Sequence, residues 1–332
     1  MLNNIYVYIE KSTDPVHNLA AESCLLESVE QGSCILYLWQ NQKTVVIGKN
    51  QNLWAECHPE ILENEGGKVV RRLSGGGAVY HDLGNLNFTF ITRKADYDVA
   101  KQTDIVLKAV SMLGIDAIKN GRNDLTTKEG RKFSGHAYYN NGDFCYHHGT
   151  IMVDVDSEAM SRFLTVSADK LKSKGVASVR SRVVNLREIN ENITTDALKD
   201  ALVKGFEQAY GMKASILDES FIDDEKLKEK MEFFACDDFR LGSRMTFDVT
   251  ATRRFVWGGI EIHLDVRGGN IVDAVCYSDA MREDVLSFVA GSIRGCRYNA
   301  EIVCDKILDI PSDEEGMGIL ADIAGMLREE II

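Results

Sequence analysis

One run constrains this chain more than any other: Arg71-Arg72-Leu73-Ser74-Gly75-Gly76-Gly77-Ala78-Val79-Tyr80-His81-Asp82-Leu83-Gly84-Asn85-Leu86-Asn87. It follows Lys68-Val69-Val70, which reads as a strand end. Successive glycines reach backbone angles closed to other residues and carry no side chain to block a ligand. Their N–H groups can converge on one anion. Paired arginines add planar forks of donors suited to phosphate or carboxylate. A flexible hairpin loop is the plainer alternative, yet plain turns seldom join a glycine triplet to two arginines. No Gly-Lys-Ser/Thr closes the run, so it is not a Walker A loop, and its glycines lack the Rossmann spacing.

A chain of 332 residues that is 45% apolar can bury one large core or two moderate ones. A net charge of -13 and a pI of about 5.1 argue against a nucleic-acid partner, which needs a basic face. Arg71 and Arg72 still allow a local basic pocket. The eight cysteines form no C-x-x-C pair, so neither a zinc ribbon nor a thioredoxin motif is expected. Reduced thiols and a cytoplasmic location are expected instead. No stretch predicts a signal peptide or a membrane span.

Taken in order, residues 5–9 read as a strand. Asp14 caps a helix begun by Pro15, with Gly32 as its stop. Cys34–Trp39 and Thr44–Gly48 read as a hairpin around Gln40-Asn41-Gln42. The second of these ends in Gly48, a common setting for ligand contacts, though a simple loop fits equally. A short helix over 59–64, a strand over 86–91, a helix over 100–113 and a strand over 115–118 follow. Residues 120–130 read as turns. Strands over 131–139 and 144–153 flank the Asn141-Gly142 hairpin signal. Helices are expected over 157–172, 195–210 and 223–234. A composition shift near 242–252 reads as a junction between domains 1–246 and 247–332. Beyond it come a hairpin (261–266 and 271–277) and helices over 280–293 and 313–329.

Several side chains could carry chemistry. Lys132 precedes the small pair Ser134-Gly135, where a ligand can reach it; taken alone it reads more simply as a solvated strand lysine. Asp124 suits a metal ion or a ribose as well as an Asx turn. His147 and His148 fall on opposite faces of one strand, so at most one can face a site. Cys145 raises a thioester route, but no separate base is indicated and a buried structural thiol is the simpler reading. Arg180 and Arg182 could cover a pocket or sit on an exposed loop.

Together the motifs resemble the lipoate–protein ligase A family. The resemblance rests on the Arg71–Asn85 run, Gly121-Arg122-Asn123-Asp124-Leu125, Lys132-Phe133-Ser134-Gly135-His136-Ala137, His147-His148-Gly149-Thr150 and Ser178-Val179-Arg180-Ser181-Arg182-Val183-Val184-Asn185-Leu186. Phe255-Val256-Trp257-Gly258-Gly259-Ile260 is similar to the family's small accessory domain. Position 73 departs from the pattern, holding Leu where a small hydroxyl residue is common.

The resemblance implies an α+β fold: a central mixed sheet flanked by helices, as in biotin/lipoate ligases, plus a small α+β C-terminal accessory domain. It implies an ATP-dependent ligase that makes lipoyl-AMP with Mg2+. The lipoyl group then passes to a lysine of acceptor lipoyl domains, namely the glycine-cleavage H protein and 2-oxoacid dehydrogenase acyltransferase subunits. ATP contacts fall to Arg71, Gly75, Gly76, Gly77, Ala78, Val79, Lys132 and Asp124, with Asp124 also the magnesium ligand. Lipoate contacts fall to Lys132, Gly48 and His148, and Lys132 is the catalytic residue. The Arg180–Asn185 loop closes over the intermediate. A monomer without nucleic-acid or membrane partners is expected. The rival readings are a cysteine-dependent octanoyl/lipoyl transferase of the same superfamily and a non-catalytic lipoate- or nucleotide-binding module. A biotin ligase lacks support, since its Gly-Arg-Gly-Arg-type loop is missing.

Overall fold

The computed structural model describes residues 2–121, 123–165, 183–241 and 249–331. Arg122, Arg180, Arg182, the end of the helix expected over 157–172 and the boundary at 246/247 lie outside the described residues. The chain divides into two units. One comprises Met1–Val46, Trp54–Arg71 and Ala78–Leu241; the other comprises Ile47–Leu53, Arg72–Gly77 and Gly242–Ile332.

The strands of the first unit run in chain order as β1 (Asn4–Ile9), β2 (Ser33–Trp39), β3 (Thr44–Ile47), β4 (Lys68–Arg71), β5 (Val79–His81), β6 (Asn85–Arg93), β7 (Ala117–Asn120), β8 (Asp124–Thr127), β9 (Lys132–Asn141), β10 (Phe144–Met152) and β11 (Ser215–Leu217). Its main helices are α1 (Pro15–Ser28), α2 (Val99–Met112), α3 (Thr195–Tyr210) and α4 (Asp224–Ala235). Eight strands form one sheet in the order β11-β1-β2-β6-β10-β9-β8-β7. The pairs of β1 with β11 and β2 are parallel, and those from β2 to β7 are antiparallel, so the sheet is mixed as expected.

Local chemistry starts and stops these elements. The Asp14 carboxylate accepts from the N–H groups of Val16 and His17 at 2.9 and 3.1 Å, capping α1. Thr194 caps α3, and Gly211 at φ +68° closes it. One sheet face packs on α2 and α3 through Leu36, Leu38, Phe88, Phe90, Val106, Val110, Leu202 and Phe206. The other face carries α1, which α4 packs against in turn.

Several expectations need correction. The hairpin of Cys34–Trp39 with Thr44–Gly48 does not form. β2 already has β1 and β6 on its two edges, and β3 instead sits between β4 and β5 in a separate three-stranded sheet. Lys43, at φ +38°, turns the chain between them. Of residues 120–130, expected as turns, Asn120 belongs to β7 and Asp124, Leu125, Thr126 and Thr127 form β8, so turns remain at Gly121 and Asn123 and over 128–130. Helix α1 stops at Ser28 with Val29 extended, so Gly32 (φ +77°) serves the next turn.

The second unit contains an antiparallel sheet of β12 (Val249–Phe255), β13 (Gly258–Arg267) and β14 (Asn270–Ser278). Over it lie α5 (Glu283–Ile293), α6 (Ala300–Leu308) and α7 (Glu314–Glu330). Alternate residues of β13, Ile260, Ile262 and Leu264, face Val289, Ile293, Val303, Leu320 and Ile323. Sequence reading missed β12 and α6. Among the described residues no helix is long and apolar enough to cross a membrane.

The Phe90 ring is fully buried between Phe88, His147 and Phe206. Phe90→Ala should therefore cost roughly 3–5 kcal/mol, read as a lower urea midpoint for the first unit.

Candidate active site

Lys132 opens β9, and a bulge decides where it points. Asp124 pairs with Gly135 and Leu125 with Ser134, but Thr126 then pairs with Lys132. Three steps along β9 thus match two along β8. The extra residue lets consecutive Phe133 and Ser134 both turn inward. Lys132 is brought round to the face that carries Asp124, and its Nζ lies 2.7 Å from Asp124 Oδ1. Gly135 clears the space, since a Cβ there would stand 3.2 Å from Nζ and 3.3 Å from Cε. The two side chains are 40% and 42% exposed, so the pair adds little stability and mainly fixes the ammonium's position.

The same face carries His148. Register places Tyr37, Thr89, His148 and Ala137 in one row, with Thr150 opposite Gly135 in the next row. His148 Nδ1–H donates to Glu22 Oε1 at 2.9 Å, the Thr89 hydroxyl donates to the same oxygen at 2.7 Å, and the indole N–H of Trp39 donates to Thr89 at 3.0 Å. All four residues are buried. Sequence reading missed Glu22, Thr89 and Trp39. The signal for Glu22 was available: it is a lone acid inside the apolar run Leu19-Ala20-Ala21-Glu22-Ser23-Cys24-Leu25-Leu26.

His147 points to the opposite face, as its place in the strand requires. There a one-way chain of donors links four side chains: Ser134 Oγ–H to His136 Nε2 at 3.1 Å, His136 Nδ1–H to His147 Nε2 at 2.9 Å, and His147 Nδ1–H to Gln102 Oε1 at 3.1 Å. The chain requires both imidazoles neutral. Burial pushes His136 down to about 3 and His147 well below its ordinary value, with the nearby Lys132 charge adding to the shift at His136. Cys145 is fully buried, and burial pushes its thiol up.

Arg71, 5% exposed, donates from Nε to the carbonyl of Phe239 at 2.9 Å and from Nη2 to that of Leu241 at 3.4 Å. Val79 opens β5 opposite Val46, and Ala78 precedes it. Among the described residues no group of three or more His, Cys, Asp or Glu side chains is placed to hold a metal ion.

Gly48, Gly75, Gly76 and Gly77 belong to the second unit. Arg72 gathers the loop from within: it donates to Ser74 Oγ at 3.0 Å and to the carbonyls of Gly75 and Gly77 at 2.6 and 2.9 Å. Gly76, at φ +89°, donates its N–H to the carbonyl of Ala280 at 3.2 Å. A Cβ at Gly48 would lie 2.0 Å from the carbonyl oxygen of Gly76, so no side chain fits there.

The first unit is a mixed-sheet domain with a lysine–aspartate pair, and the second is a smaller helical–sheet unit that holds the glycine loop. Residues 14–207 match the sequence model of the lipoyl protein ligase A/B catalytic domain, and residues 244–326 match that of the bacterial lipoate protein ligase C-terminus. The chain belongs to the lipoyl protein ligase A/B catalytic-domain family. Its structure is similar to that of P. falciparum LipL1 in complex with lipoate, at 26% identity and a TM-score of 0.86, covering 98% of this chain and 100% of that one. A bi-partite lipoate protein ligase of Thermoplasma acidophilum, solved in a study that includes its E2 lipoyl domain, shares the fold at 24% identity and a TM-score of 0.64, covering 74% of this chain and 99% of that one. So does a lipoate-protein ligase A bound with ATP, at 22% identity and a TM-score of 0.62, covering 73% and 99%.

The histidine chain sets an acid limit. Both folded-state pKa values lie below the unfolded value of about 6.5, so the unfolded chain binds more protons there. Stability should be full above about 6.5 and fall as pH drops towards about 3. Urea midpoints measured across that range should fall less steeply in His147→Gln, which loses one titrating group.

Proposed function

We propose that this protein is an ATP-dependent lipoate–protein ligase. The observation that carries the reading is the placement of Lys132: a bulge turns its ammonium onto the face shared with Asp124 and His148. Adenylation brings a carboxylate up to a phosphate, so two anions must be held together. A lysine ammonium can bridge the lipoate carboxylate and the α-phosphate, then hold the developing negative oxygen during attack by the acceptor lysine. Arg71 and the backbone of Gly75, Gly76, Gly77, Ala78 and Val79 serve the phosphates in this reading. Gly48 and His148 border the lipoyl chain. Holding the reactants in place supplies much of the remaining rate.

Asp124 is half-exposed and is the single carboxylate of this set. That suits magnesium, which commonly takes one or two carboxylates together with substrate phosphates. Bound magnesium supplies charge neutralisation to the phosphates. Acceptors in this reading are lipoyl domains, of the glycine-cleavage H protein and 2-oxoacid dehydrogenase acyltransferase subunits. The relatives solved with lipoate, with ATP and in a study with an E2 lipoyl domain support lipoate, ATP and a lipoyl-domain acceptor as the reactants. The burial of Cys145 weighs against a thioester route through that residue.

Lipoate-dependent pyrophosphate release from ATP and magnesium tests the reading. Lys132→Ala should lower the rate at least about a hundredfold, the scale of losing one electrostatic stabiliser. Cys145→Ala should leave it within about twofold, as a thiol outside the chemistry predicts. Wild-type protein that releases no pyrophosphate, yet transfers acyl groups from an acyl-protein donor through Cys145, would overturn it.

A further inference from the structure

The second unit buries an acid that the proposed chemistry does not use. Glu283 opens α5 and is 5% exposed. Among the described residues neither of its carboxyl oxygens finds a hydrogen-bond partner of good geometry. Around it stand the Gly75 N–H, the cations of Lys49 and Arg72, and the neighbouring Asp284.

The residues just before Glu283 lie against the glycine loop of the same unit. Gly76 donates its N–H to the carbonyl of Ala280, and a Cβ at Gly75 would stand 2.5 Å from that oxygen. A Cβ at Gly76 would stand 2.8 Å from the Met281 methyl. The segment therefore occupies a loop amide and covers the loop's glycines. We infer that residues 280–283 are a proton-dependent clasp on the glycine loop, closed while Glu283 is protonated and released when it ionises.

The direction follows from burial. In the clasped state desolvation, aided by Asp284, pushes the Glu283 carboxyl up to about 8 against the opposing pull of Lys49, Gly75 N–H and Arg72, while in water it would return towards 4.5. The clasped state keeps a proton that the released state gives up across that interval. Clasping should weaken by up to roughly tenfold per pH unit between those values and level off above them. Glutamine keeps the shape and cannot ionise, so Glu283→Gln should stay clasped throughout. If the loop receives nucleotide phosphates, as the proposed function has it, clasp and nucleotide compete for the Gly76 amide.

Amide hydrogen exchange of the ligand-free full chain, corrected for intrinsic rates, tests this on peptides covering Arg72–Val79. Protection in wild type should fall at least about tenfold between about pH 5.5 and about pH 8.5, whereas Glu283→Gln should hold the same protection at both. Equal pH responses in the two proteins, or none in wild type, would overturn the clasp. ATP titrations separate the two readings: tighter binding at high pH in wild type alone supports the clasp. A chain that binds no ATP, yet keeps the Glu283-dependent exchange response, fails the ligase reading and still supports the clasp.

Discussion

A carboxylate at the centre of the first unit is what the rest of that unit is built around. Glu22 is 2% exposed, and an ion so placed is tolerable only when its lone pairs are met. Thr89 and His148 meet them from two adjacent strands, and Trp39 completes the line from a third. One side chain of α1 thereby pins β2, β6 and β10 in register. The same bonds make that sheet face polar at its middle, while the opposite face is free to be an apolar core against α2 and α3. The face of Glu22 thus has a buried polar line at its middle, while the opposite face packs on α2 and α3 around the His136–His147–Gln102 chain.

Much of this was legible in the sequence because its signals are local. Asp14-Pro15 marked a helix start, Asn141-Gly142 marked a hairpin, and adjacent His147 and His148 had to part to opposite faces. The Cys145 thiol proved buried, as its place inside a strand suggested. What escaped was long-range. Whether β2 pairs with β3 depends on which strands have already taken its edges, and β1 and β6 come from far along the chain. The partners of Glu22 lie 67 and 126 residues away. No window of sequence contains them.

The two arginines of the glycine run look equivalent on paper and are not equivalent in space. Arg71 donates to the carbonyls of Phe239 and Leu241 within the first unit. Arg72 turns back on its own loop and ties the carbonyls of Gly75 and Gly77 together. Gathering those carbonyls on one guanidinium constrains a stretch that glycine alone would leave loose.

The bulge in β9 carries a consequence for how this family of sequences can vary in length. Side chains alternate faces with a period of two, so the separation of Lys132 from Gly135 acts as a ruler. Removing one residue between them would restore a regular ladder with Lys132 still opposite Thr126, on the face of Asp124, but with one inward side chain where Phe133 and Ser134 now both turn in. A substitution there changes one contact, whereas a deletion takes a whole side chain out of the layer beneath the sheet. The count of residues in this stretch therefore sets how much side chain the strand buries, not which face Lys132 occupies.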